Sequence, residues 1–117
     1  MFPVLTVPHK AGADILPRQI VKLNTDGNVV PATAAADKVI GVSDARGASS
    51  EAAADIYRIG IAEVQLGGAV TLGAEITANA QGFGVAATAA GNESIGRAEQ
   101  AGVAGDIIDV FLRLRTM

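Results

Sequence analysis

The chain holds one histidine, no cysteine and no tryptophan, so few side chains can do chemistry at neutral pH. His9 lies between Pro8 and Lys10 with no acid or nucleophile beside it. A general base must share a proton with a positioned partner, so His9 reads as an exposed or interface residue. Without cysteine there is no disulfide, no thiolate nucleophile and no thiolate zinc site. Carboxylates would have to hold any metal alone. Asp106-Ile107-Ile108-Asp109 has the wrong spacing for a calcium loop and reads as solvated acids at a strand start. Gly67-Gly68-Ala69-Val70-Thr71-Leu72-Gly73 lacks the Lys-Ser/Thr of a phosphate loop, and Gly82-Phe83-Gly84 opens no helix. These glycines are expected in tight turns. Asn92-Glu93-Ser94 matches a glycosylation sequon but reads as a turn. Arg113 and Arg115 are expected to pair with acids on a neighbouring strand or subunit. No catalytic, cofactor-binding or metal-binding residue is therefore expected.

The elements that would position such groups form a repeat. Shifted by 55 positions, Val21–Gly27 lies on Ile76–Gly82, and Val30 meets Val85. In the same register Ala32-Thr33-Ala34-Ala35 meets Ala87-Thr88-Ala89-Ala90, Ile40-Gly41 meets Ile95-Gly96, Asp44 meets Glu99, and Gly47 meets Gly102. About ten of 28 positions between Ile20 and Gly47 are identical. A four-residue contraction then places Asp55-Ile56 on Asp106-Ile107. A unit this long that occurs twice points to a pseudo-symmetric domain rather than a solenoid. The repeat also makes Asp44 and Glu99 equivalent, the one arrangement that brings two carboxylates toward a common axis.

At 117 residues, the chain fits one domain able to bury roughly two thirds of its unfolded surface. Alanine supplies much of its apolar half, and the only aromatics are Phe2, Tyr57, Phe83 and Phe111. The net charge of −3, scattered basic residues and missing aromatic platforms argue against a nucleic-acid surface. No apolar run reaches the roughly 18 residues of a membrane span, and the start lacks a signal-peptide pattern.

The body reads as β. Gln19–Leu23 is a short strand, and Asn24-Thr25-Asp26-Gly27-Asn28 is its turn. Val39–Val42 and Ser94–Ala98 form a matched pair. Ile56–Leu66 is the longest strand, with a bulge or bend at Gly60. Ile108, Val110, Leu112 and Leu114 alternate with mostly polar neighbours, the pattern of a half-buried strand. Ser49–Ala54 is the one place for a turn or two of helix, capped by Ser49 or Ser50. Residues 1–16 have no counterpart in the second copy, and Pro3 and Pro8 forbid a central strand. They read as an extended N-terminal arm on a single β domain of residues 17–117, with the duplication spanning about 18–66 and 73–117. The fold expected is mainly β: a small β-barrel or β-sandwich built from two pseudo-symmetric halves, with little helix.

The order of these strands resembles the small capsid cement, or head decoration, proteins of tailed bacteriophages. The resemblance rests on Val39-Ile40-Gly41-Val42-Ser43-Asp44-Ala45, Ile56–Val64, Val70-Thr71-Leu72-Gly73-Ala74-Glu75-Ile76-Thr77, Glu93-Ser94-Ile95-Gly96-Arg97-Ala98 and Asp109–Arg115. It covers roughly residues 15–117, with Gly41, Gly60, Gly73, Gly82 and Gly96 at matching positions. The resemblance implies a non-enzymatic virion protein on the outer capsid surface, made in the bacterial cytoplasm. Its implied partners are the major capsid protein and further copies of itself, often as a trimer, with no nucleic acid, membrane or cofactor. Phe2, Val4, Leu5 and Val7 in the arm are the expected partner contacts. The competing classes are a tail or baseplate part, a carboxylate enzyme built on Asp44 and Glu99, and a ligand-binding module.

Overall fold

Short apolar runs broken by Asn, Asp and Gly turns build strands throughout, and no helix forms among the described residues. The computed structural model describes residues 3–117, with side chains from Thr6 onward. Its strands are β1 (Pro3–Lys10), β2 (Ile20–Leu23), β3 (Val29–Pro31), β4 (Val39–Ser43), β5 (Ala53–Gln65), β6 (Glu75–Ala78), β7 (Gly84–Ala86), β8 (Glu93–Ala98) and β9 (Ile107–Thr116). They form one antiparallel sheet in the order β3-β2-β4-β5-β9-β8-β6-β7, with β1 paired to β5. The sheet curls into a half-barrel, in keeping with the barrel-like β fold expected.

The order is a mirrored list, and the registers show why. Val21↔Pro31, Lys22↔Val30 and Leu23↔Val29 recur 55 residues on as Ile76↔Ala86, Thr77↔Val85 and Ala78↔Gly84. Val42↔Tyr57 and Ser43↔Ile56 recur as Arg97↔Phe111 and Ala98↔Val110. Asp55 is thus equivalent to Asp109, so the contraction before the last strand is one residue and not the expected four. Backbone pairing overrides the Asp-Ile match that had suggested the larger gap.

The repeat also begins earlier than expected. Thr6↔Tyr57, Val7↔Ile56, Pro8↔Asp55, His9↔Ala54 and Lys10↔Ala53 recur as Ile61↔Phe111, Ala62↔Val110, Glu63↔Asp109, Val64↔Ile108 and Gln65↔Ile107. The isolated bridges Ala11↔Val29 and Ile15↔Ala48 recur as Leu66↔Gly84 and Val70↔Gly102. From residue 3 onward the N-terminal segment therefore has a counterpart: β1 matches the second half of β5. The side chains of the two stretches share little, so the sequence hides what the pairing reveals. β5 is both the last strand of the first unit and the first strand of the second. Gly60, at φ +107°, pairs with both Pro3 and Leu112 where these roles change.

Burial follows the repeat. One core cluster contains Ala11, Ile15, Val21, Val29, Ile40, Ala54 and Ile56. Six of their equivalents, Leu66, Val70, Ile76, Ile95, Ile108 and Val110, lie in the larger cluster. That cluster also holds Ile20, Val39, Val42, Ala62, Val64 and Leu112, which join the two units. Each large side chain fully buried here contributes about 1.5–3 kcal/mol. Two further expectations change. Ser49–Ala54 is not helical: residues 50–51 make a tight turn, Glu51 takes φ +73°, and Ala53 and Ala54 are drawn into β5 by pairing with Lys10 and His9. Leu114 is exposed rather than buried, because β9 parts from β5 after the Gly60↔Leu112 pair, beyond which β5 pairs with β1 and β4.

Close backbone approach explains the paired glycines of β4 and β8. A Cβ on Gly41 would press on the Tyr57 carbonyl oxygen, and one on Gly96 on the equivalent Phe111 oxygen. Gly96→Ala is expected to cost roughly 2–4 kcal/mol through this clash. Gly105→Ala, at φ +91° with nothing within 4 Å, is expected to cost only about 1 kcal/mol. Chemical denaturation compares them, and equal losses would contradict the role given to close approach.

Candidate functional surfaces

The residues singled out for chemistry are placed in turns and packing, well apart in role. Asp44 is buried; its Oδ1 accepts the N–H of Arg46 at 3.0 Å and of Gly47 at 3.2 Å. Its Oδ2 pairs with Arg46, which also reaches Asp55 at 2.7 Å. Glu99 is exposed after β8. Each closes on its own unit's last strand, Asp44 N–H to Asp55 O at 3.1 Å and Glu99 N–H to Asp109 O at 2.9 Å. Asp106 accepts the Val103 N–H at 3.0 Å in a turn, and Asp109 stands opposite Glu63. Among the described residues no three His, Asp or Glu side chains gather where they could hold a metal ion.

The glycine-rich segment has a structural reason. Asn79 Oδ1 accepts the N–H groups of Gln81 and Phe83 at 2.9 and 3.0 Å, and Asn24 does the same for Asp26 and Asn28. A Cβ on Gly67 or on Gly12 would meet the side-chain amide of the Asn above it. Both glycines leave room for an Asn-centred turn rather than for a phosphate.

His9 occupies the place of the buried Val64. Its Nε2 is buried without a hydrogen-bond partner, and burial, then the Arg58 charge, hold its pKa below the ordinary value. Arg115 meets a neighbouring acid, Glu75, at 3.3 Å, whereas Arg113 has no carboxylate partner among the described residues. Phe2 lies outside the described residues, as do the side chains of Val4 and Leu5. Val7 is half-buried, with its backbone paired to Ile56.

Two surfaces stand out that single-residue reasoning missed. The first is a polar cluster on the second unit, in which a largely buried Glu75 meets the exposed Arg97 and Arg115. Glu75 accepts a hydrogen bond from Ser94 Oγ at 2.8 Å and pairs with Arg97 at 2.8 Å. Burial pushes the Glu75 carboxyl up, but hydrogen bonds from Ser94 and Arg97 and the charges of Arg115 and Arg97 outweigh it and hold the pKa below 4.5. The signal was present in the repeat: Glu75, Ser94 and Arg97 stand where the first unit has Ile20, Val39 and Val42. The second surface is an open hollow of about 560 Å³ lined by Arg58, Ile59, Phe111, Leu112, Arg113 and Leu114. It opens where β5 and β9 diverge, and it exposes about half of Ile59 and Phe111.

Taken together, the molecule is a duplicated, head-to-tail antiparallel half-barrel whose polar groups serve turns and surfaces. No family model matches the chain, and no curated protein matches it. Among solved structures it is similar to the head fibre gp8.5 N base of bacteriophage phi29. The TM-score is 0.71 at 12% sequence identity, covering 97% of this chain and 97% of that one. The two proteins share a fold along their whole length.

The Glu75 cluster sets a pH dependence. A carboxyl with a lowered folded pKa stabilises the fold above its unfolded value and loses that contribution as pH falls through the folded one. Glu75→Gln is expected to cost about 1–2 kcal/mol at pH 7. Denaturation series at several pH values should show this gap closing as pH falls below 4.5. A gap that stays constant would remove Glu75 ionisation as the cause.

Proposed function

We propose that this protein is a non-enzymatic structural component of a phage virion that binds the outer surface of the head and stabilises the expanded shell. The observation that carries this reading is the full-length likeness in fold to a protein described as a phage head fibre base. The strand-by-strand resemblance to head decoration proteins supports it independently. The turn-forming roles of Asp44, Asp106 and the glycines are in keeping with it.

The proposed partners are the major capsid protein and further copies of this chain, as a trimer. Phe2, Val4, Leu5 and Val7 are proposed as contacts to one or the other. Many modest contacts spread over a shell add up through multivalency, which suits a small acidic scaffold with open apolar surface. A second reading is favoured by the description of the phi29 neighbour: attachment base for a fibre at a limited number of head sites.

Quantitative mass spectrometry of purified virions tests both. A ratio to the major capsid protein near one to one is the result expected of a shell-wide decoration protein. A few copies per particle would support the fibre base, or a tail or baseplate position. Absence from the virion would overturn the proposal.

A further inference from the structure

The two units meet head to tail, not across a two-fold. The Gly82 turn of the second unit packs on β2 of the first. Ile20 N–H donates to Gly82 O at 2.8 Å, and the Gln19 side-chain amide donates to Gln81 O. A Cβ on Gly82 would lie 2.8–3.1 Å from Gln19, Ile20 and Ala32. A two-fold relation would repeat this contact in reverse, placing the Gly27 turn on Ala74, Glu75 and Ala87. The reverse contact is absent. Nothing lies within 4 Å of a Cβ built on Gly27, and no bond joins Glu75 N–H to the Gly27 carbonyl among the described residues. Each chain therefore carries one unused copy of either half of this contact.

The unused halves are complementary. Leu23, equivalent to the buried Ala78, is 42% exposed, and Val7, equivalent to the buried Ala62, is half-buried. Asp26 takes the place of Gln81 at the tip of the turn and has no ion-pair partner among the described residues. On the other side Arg97 replaces Val42, with its side chain 58% exposed. Arg97 and Arg115 share the single carboxylate of Glu75, so this face carries excess positive charge.

We propose that a second copy of this chain docks its Gly27 turn on the Ala74–Glu75–Ala87 face, with Asp26 facing Arg97. The contact repeats between chains the one made within each chain. Being heterologous, it builds assemblies larger than a dimer. The inference rests on the self-association part of the reading above and not on capsid binding. It is tested on the free protein, so the two can fail separately.

The experiment is sedimentation velocity on the full chain at micromolar to high micromolar concentration. The wild type is expected to exceed the mass of a dimer. Asp26→Arg and Leu23→Glu, both at exposed positions, are each expected to weaken association about tenfold or more while melting like the wild type. Adding Arg97→Glu to Asp26→Arg is expected to restore much of the loss. If one single variant fails to fold, the other carries the test. A wild type that stays monomeric would overturn the proposal and assign these faces to another partner. A dimer that grows no further would also overturn it, as would association indifferent to both substitutions.

Discussion

The fold depends on one strand serving twice. The first half of β5 closes the first unit against β1 and β4, and its second half opens the second unit against β9. Because a strand alternates its side chains between faces, Ala54, Ile56, Ala62 and Val64 all enter the core from one continuous element. The two units cannot separate without breaking β5. Gly60, with its positive φ, is where the partners change from one unit to the other.

From that constraint the surface chemistry follows. Ile20, Val39 and Val42 of the first unit enter the core that joins it to the second, whereas the same positions on the second unit carry polar side chains. These are Glu75, Ser94 and Arg97: the buried Ser94 and the exposed Arg97 both bond to the Glu75 carboxylate. A unit made twice but joined head to tail leaves two unlike faces. Small side chains suit this plan: Gly41, Gly96, Gly12 and Gly67 let strands and turns approach at distances that larger residues would block.

Much of this was legible in the sequence, but only where side chains carry the information. The shared Asn24/Asn79, Gly27/Gly82 and Gly41/Gly96 positions mark an Asn-centred turn and a close backbone approach, and the structure uses them so. The alternation of Ile108, Val110 and Leu112 marked β9. The equivalence of β1 with the end of β5 was hidden, because Val4–Lys10 and Ile59–Gln65 share a backbone register and almost no side chains. The helix expected at Ser49–Ala54 failed because its capping signal is local, whereas the pairing that recruits Ala53 and Ala54 comes from a strand more than forty residues earlier. Glu75 was overlooked because a carboxylate was judged by its neighbours in sequence rather than by the isoleucine it replaces.

Hydrogen exchange of the backbone amides along β5 tests the central claim that one shared strand makes the two units a single cooperative body. The protected amides on either side of Gly60, within Ala53–Ile59 and Ile61–Gln65, are predicted to exchange only through global unfolding and with the same free energy. If one half exchanged through its own lower-energy opening while the other stayed protected, the units would be independent and the account of β5 would be contradicted.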